Sequence, residues 1–208
     1  RLKTPEGGEE LKNFLSEARA AAGLRHPNLV QVLSVFEDGG HYMVLEHVAG
    51  RSLAQVLAES GPLSWEEALR ALSQVCAALG HAHASRVIHR DLKPSNVLRG
   101  DDGACRVADF GIAHRASSDA ATQTEAWGTP PYMAPEQSHG TVSRESDLYA
   151  LGVMAYELLT GRRPFSGPDY ETQKRARDFP PPTQFQGSLP TAAKAFFDKW
   201  LRGVENGW

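Results

Sequence analysis

The stretch Leu148–Leu159 is apolar almost all round, and a helix with that pattern is buried on most sides. Asp147 precedes it directly, a charge at the mouth of a core element. At 208 residues and 41% hydrophobic, the chain can withdraw roughly 70% of its unfolded surface from water, enough for a core around such a helix. Length alone leaves one domain or two small ones open. A net charge of −3, with basic residues scattered as short pairs such as Arg162-Arg163, gives no general attraction for nucleic acid or an anionic membrane. No run of about eighteen apolar residues occurs, so no segment is expected to span a bilayer. Cys76 and Cys105 lack the paired spacing of a zinc site and form no disulfide framework. Both are expected to be small buried hydrophobes in a reducing compartment. Arg1–Pro5 resembles neither a signal peptide nor a transit peptide, which makes the expected location cytoplasmic.

Good helix formers from Glu9 to Leu24 carry Leu11, Phe14, Leu15, Ala18 and Ala22 three or four apart, predicting a helix stopped by Gly23 and His26-Pro27-Asn28. Leu29–Phe36 and His41–Val48, joined by Glu37-Asp38-Gly39-Gly40, predict a hairpin. Ser64 and Glu67 form a capping box, opening a helix whose core face would carry Leu69, Leu72, Val75, Cys76 and Leu79. Two short strands, Val97–Arg99 and Cys105–Ala108, are expected around the turn Gly100-Asp101-Asp102-Gly103. Residues 112–130 read as a long polar loop, a feature that is usually functional or mobile inside a compact domain. Arg162–Pro182 reads as irregular, and Thr191–Leu201, with Phe196, Phe197 and Trp200, as a last amphipathic helix.

The segment His89-Arg90-Asp91-Leu92-Lys93-Pro94-Ser95-Asn96 follows the capped helix and precedes a strand. An aspartate and an asparagine five residues apart, bracketing a lysine, suit phosphoryl transfer. The carboxylate serves an attacking hydroxyl, the cation a moving phosphate, and the amide oxygen a metal. Taken alone, a charged solvated loop would look the same. Asp109-Phe110-Gly111 comes two strands later, with a hard oxygen ligand suited to Mg²⁺ and a glycine open to unusual backbone angles. Gly128-Thr129-Pro130-Pro131-Tyr132-Met133-Ala134-Pro135-Glu136 closes the polar loop. A lone Asp-Phe-Gly recurs by chance, whereas the ordered set of three motifs is specific.

Through these motifs the chain resembles the eukaryotic-type (Hanks-type) serine/threonine protein kinases, from the helix holding Glu17 to the one ending near Leu201. The wording Gly111-Ile112-Ala113-His114-Arg115 resembles bacterial members. The resemblance implies an α+β, bilobal kinase-like fold. Residues 1–47 would form a partial N-lobe, with helix C and the last strands to the hinge, and 48–208 a mainly helical C-lobe with the catalytic loop and activation segment. It implies transfer of the γ-phosphate of ATP to serine or threonine of protein substrates, with Mg²⁺ as cofactor and no nucleic-acid partner. By the same resemblance Asp91 is the catalytic base, Lys93 steadies the γ-phosphate, and Asn96 and Asp109 are the Mg²⁺ ligands. Glu17 would pair with the ATP-binding lysine, and Thr129 with Lys93 gives the serine/threonine pattern. Leu45 resembles the gatekeeper, the backbone of Glu46 and Val48 the adenine hinge, and Leu98 the side chain beneath the ring. Asp147 resembles the buried aspartate that anchors the catalytic-loop backbone, while His89 and Phe110 resemble hydrophobic-spine residues. Thr122 and Thr124 resemble a doubly phosphorylated activation element that could dock on Arg90, phosphorylated in trans by another copy of the kinase.

Two features depart from the family. No Gly-rich loop and no Val-Ala-Ile-Lys-like strand occur, and Lys3, fourteen residues before Glu17, is too close to be the ATP lysine. Those strands are therefore expected ahead of Arg1, and the isolated chain is expected to turn over weakly or not at all. The Asp-Pro-x-x-Arg pattern is missing at Val204–Trp208, which leaves Glu136 in want of a cation, with Arg162 or Arg163 as candidates. The alternative reading is a pseudokinase, a kinase-like interaction or regulatory module. Asp91, Asn96 and Asp109 favour the enzyme, because a scaffold has no physical need of all three.

Overall fold

A computed structural model describes residues 21–38, 41–110, 129–176 and 179–181. Most of the helix expected from Glu9, residues 112–128 of the polar segment, and the helix expected at Thr191–Leu201 lie outside the described residues.

Strands β1 (Val32–Glu37) and β2 (His41–Leu45) pair antiparallel, with Val35 opposite Met43 and the Phe36 and Tyr42 rings stacked 5.3 Å apart. The expected hairpin is present but starts later than Leu29. Leu29 forms a parallel bridge to Val107, the Val30 N–H donates to the Val107 carbonyl at 2.9 Å, and the Val107 N–H donates to the Asn28 carbonyl at 2.9 Å. The backbone ahead of β1 therefore satisfies its polar groups on a different sheet. Asn28 adds side-chain bonds to Gln74 (2.9 Å) and to the Cys105 carbonyl (2.8 Å).

β3 (Gly50–Ser52) and helix α1 (Leu53–Ser60) follow, and neither was expected from the sequence. Gly50 has φ +152, and a Cβ there would stand 2.1 Å from the Arg99 carbonyl oxygen, so only glycine lets β3 approach its partner strand. Ser52 caps α1 through a reciprocal pair of bonds with Gln55. Helix α2 (Trp65–Ala84) opens on the expected Ser64–Glu67 capping box. Its buried face meets expectation at Val75 and Leu79 but is otherwise built from Ala68, Ala71, Ala78 and Ala82, while Leu69 is 48% exposed. Cys76 is exposed too, contrary to the expected buried thiol, whereas Cys105 is buried. One residue of offset turns a side chain by about 100° around a helix. The alanine stripe, which lets α2 lie close to its neighbours, therefore puts Leu69 and Cys76 outside.

β4 (Val97–Gly100) and β5 (Cys105–Val107) complete an antiparallel sheet in the order β3-β4-β5, with Val97 opposite Val107 and Arg99 opposite Cys105. Helix α3 (Arg144–Thr160) begins ahead of the apolar run and is buried on nearly every side, so Asp147 lies in its first turn at 1% exposure. A short helix α4 (Tyr170–Ala176) interrupts the segment expected to be irregular. Asp169 caps it by accepting from the Thr172 N–H at 3.0 Å.

Candidate active site

The loop after α2 is held from below by α3. Asp147 Oδ2 accepts from the His89 N–H (2.9 Å) and lies 2.7 Å from His83 Nε2, while Oδ1 accepts from the Arg90 N–H (2.9 Å). A buried carboxylate is tolerable because its oxygens are met by donors in this way. Arg90 sits at φ +73, an uncommon angle for a residue with a side chain, and its carbonyl accepts from buried Gln137 Nε2 at 3.1 Å. Gln137 Oε1 in turn accepts from the Ala134 N–H (2.8 Å), tying the Pro135–His139 turn to the loop. His89 is fully buried, with Nε2 3.0 Å from the Ala108 carbonyl and Nδ1 accepting from the Asp91 N–H at 3.3 Å. That pair of contacts fits the neutral tautomer protonated on Nε2, and burial holds the imidazole pKa below its usual range.

On this support sit Asp91, Lys93 and Thr129, brought together across 38 residues of sequence. Lys93 Nζ donates to Asp91 Oδ2 (2.6 Å) and to Thr129 Oγ1 (2.7 Å), and Thr129 Oγ1 donates to Asp91 Oδ1 (2.7 Å). The three side chains close a ring that fixes the carboxylate in orientation and sets a cation beside it. Asp91 is 5% exposed, so these bonds act in a poorly solvated place. Asn96 Nδ2 donates to the Asp91 carbonyl (2.9 Å), with Asp91 Oδ2 at 3.5 Å, so two acceptors define the nitrogen end of the amide. The amide oxygen is turned away from them and, among the described residues, meets only a long 3.4 Å contact from Ser95 Oγ.

Asp109 is placed beside this group by its neighbour. The Ala108 N–H donates to the Asn96 carbonyl (2.8 Å) while the Ala108 carbonyl receives His89 Nε2, so the chain enters Asp109 from an anchored residue. Asp109 is exposed and has φ +56; the unusual backbone angle expected at Gly111 is carried here by the aspartate, and Gly111 lies outside the described residues. Phe110 packs on His89 at 4.7 Å between ring centroids. Leu45 and Met43 line a small apolar recess that runs from Leu29 and Ala21 to Asp109 and Phe110. The Glu46 N–H is used on the Gln31 carbonyl (2.8 Å); among the described residues the Glu46 carbonyl and the Val48 N–H take no backbone partner. Leu98 lies on β4 opposite Ser52 and is half-buried. Two hard oxygens, of Asn96 and Asp109, suit Mg²⁺, which keeps several waters and completes its shell with phosphate oxygens. Among the described residues no group of three or more His, Cys, Asp or Glu could hold a metal without such help.

Glu17, Thr122 and Thr124 lie outside the described residues. Glu136 accepts from Ser146 Oγ at 2.7 Å, a hydroxyl rather than the arginine sought in the sequence. Its other oxygen is buried with no partner among the described residues. Tyr132 donates to Glu157, and burial, with that bond, raises the pKa of the phenol. The contributions of His83, Gln137 and buried Lys174 were not visible in the sequence, because each rests on a partner from a distant element.

A family model described as "Protein kinase domain" matches residues 2–202. Among curated relatives, serine/threonine-protein kinase PrkC of Bacillus subtilis is 42% identical over 162 residues, covering 76% of this chain and 25% of that protein. Serine/threonine-protein kinase pkn3 of Myxococcus xanthus is 42% identical over 186 residues, covering 82% of this chain and 34% of that protein. The chain thus spans between a quarter and about a third of these relatives' length. Among solved structures, Rad53 1-466 in complex with AMP-PNP superposes with a TM-score of 0.78 at 28% identity, covering 91% of this chain and 50% of that one.

Proposed function

The chain belongs to the protein kinase domain family, and from that premise we propose that its full-length protein transfers the γ-phosphate of ATP to serine and threonine side chains of protein substrates. The observation that carries the proposal is the closed ring of Asp91, Lys93 and Thr129. A substrate hydroxyl brought to Asp91 gives up its proton to a carboxylate already aligned by two donors. Lys93, beside it, meets the charge of the phosphoryl group in flight. The Asn96 oxygen and the Asp109 carboxylate would hold Mg²⁺, which would supply positive charge against that building on the phosphate. Leu45, the backbone of Glu46 and Val48, and Leu98 receive the adenine, Leu45 from the recess behind it. Glu17 is assigned as the partner of an ATP-binding lysine. Residues 1–47 and 48–208 are assigned to the two lobes on either side of this cleft.

Control is assigned to Thr122 and Thr124, phosphorylated by a second copy of the kinase. Support comes from Arg90, whose backbone is fixed on both sides by Asp147 and Gln137 next to the catalytic aspartate. A phosphate there would bring roughly −1.5 to −2 of charge within reach of the Arg90 guanidinium. No helix among the described residues is long and apolar enough to cross a membrane. Dependence on ATP and on protein substrates supports a cytoplasmic site of action. A pseudokinase reading gains nothing from the structure, since Asp91, Asn96 and Asp109 are all set in one place. The test is transfer from γ-labelled ATP to a protein substrate by the full-length protein, followed by phosphoamino-acid analysis. Phosphoserine and phosphothreonine are expected; mainly phosphotyrosine would refute the assignment.

A further inference from the structure

Helix α4 buries a lysine. Lys174 is 8% exposed, although a lysine ordinarily keeps its ammonium in water and buries only its stem. Here Nζ donates to the Pro130 carbonyl and to the Met133 carbonyl (2.8 Å), with the Tyr170 ring centroid 5.5 Å away. No carboxylate among the described residues faces it: Glu171 on the same helix pairs with Arg175 (2.6 Å) and lies 4.0 Å from His139 of the Pro135–His139 turn. The other titratable group on the clamped turn, Tyr132, donates its hydroxyl to Glu157. Burial lowers the Lys174 pKa to about 8, and the two carbonyls favour its charged form at neutral pH.

The turn that Lys174 grips is the one that begins at Thr129. The Thr129 carbonyl accepts from the Tyr132 N–H (2.8 Å) and the Met133 N–H (3.2 Å), so the turn is closed by its own bonds on one side and by the ammonium on the other. Thr129 Oγ1 touches Asp91. An acceptor hydroxyl at Asp91 therefore brings the adjoining peptide residues against the backbone of residues 130–133. Those two carbonyls, turned inward on Lys174, are withdrawn from that peptide-facing surface.

We propose that Lys174 is a positioning residue for the protein substrate: by holding the Pro130 and Met133 carbonyls, it sets the shape of the turn that receives the peptide residue adjoining the phosphorylated serine or threonine. The inference rests on the kinase reading given above and deepens it. A lysine that served the fold alone would affect ATP and peptide kinetics alike. A positioning lysine affects the peptide first.

The experiment compares full-length wild type, Lys174→Met and Lys174→Arg, using a synthetic one-threonine peptide selected from a randomised library by the wild-type enzyme. Lys174→Met, which strips both carbonyls of their charged donor, should raise the peptide KM by at least about tenfold, with the KM for ATP close to wild type. In wild type the peptide KM should climb as pH rises above about 8 and the ammonium loses its proton. In Lys174→Arg, which stays charged, that climb should vanish. An unaltered peptide KM in Lys174→Met, or equal losses toward peptide and ATP, overturns the proposal. Should Lys174→Met not fold, the pH profile decides, and a climb in Lys174→Arg equal to that of wild type overturns it. A wild-type protein that transfers phosphate to no serine or threonine at all overturns the kinase reading itself, and this inference with it.

Discussion

Replacing Asp147 with asparagine keeps the shape of the side chain and exchanges one oxygen for an NH₂ donor. The wild-type carboxylate meets three donors, His83 and the His89 N–H on Oδ2 and the Arg90 N–H on Oδ1. The less costly orientation of the amide keeps its oxygen toward His83 and His89 and turns the NH₂ against the Arg90 N–H. One charge-assisted bond, worth about 1.5–3 kcal/mol, is then lost, and the other two fall to neutral strength at about 1 kcal/mol less each. The sum is about 4 kcal/mol, a large part of the roughly 5–15 kcal/mol that stabilises a typical domain. At about 2–4 °C per kcal/mol for a domain of this size, the domain's melting transition in the full-length protein should fall by about 10 °C. Catalysis should suffer as well, because Arg90 is held at φ +73 next to Asp91 by the lost bond. Differential scanning calorimetry and steady-state kinetics on the Asp147→Asn protein provide the check. A melting temperature and kcat both indistinguishable from wild type would show that these bonds do not hold the catalytic loop.

Two further outcomes follow from the same geometry. Burial keeps His89 neutral when folded, while the unfolded chain takes up a proton near its ordinary pKa of 6.5, so the unfolded state binds more protons at acid pH. Stability should therefore drop as pH falls below about 6.5, and urea titrations of His89→Phe should show a shallower dependence there; an identical slope would contradict this. A Thr122→Ala, Thr124→Ala double variant should phosphorylate substrate more slowly than wild type, with mass spectrometry finding phosphate on those residues in the active protein. An equal rate would place the switch elsewhere.

The segments that meet at the candidate site were legible as a set because phosphoryl-transfer chemistry ties residue identity to short spacing. Asp91, Lys93 and Asn96 lie within six residues, and Asp109-Phe110 follows two short strands later. Helix α3 was legible because it is apolar all round, and the start of α2 because a capping box is a local device. The inner face of α2 was legible at Val75 and Leu79 and misread at Leu69 and Cys76, because small alanines pack where larger apolar side chains were expected. β3 escaped notice because the need for Gly50 arises from the Arg99 carbonyl, a partner far along the chain. His83, Gln137 and Lys174 were invisible for a similar reason. Their importance lies in one bond each to Asp147, to Arg90, or to the turn after Thr129, and sequence spacing carries no trace of such pairings. A lysine, above all, is expected at the surface.

Asp91 is proposed to accept the proton of a serine or threonine hydroxyl as the γ-phosphate of ATP moves. The most direct measurement is the single-turnover rate of that transfer in the full-length protein, wild type against Asp91→Ala, with ATP binding followed in parallel. The account predicts that the variant still binds ATP and loses on the order of 10²–10⁴ in rate, the scale of a positioned base. Transfer at the wild-type rate in Asp91→Ala would contradict it.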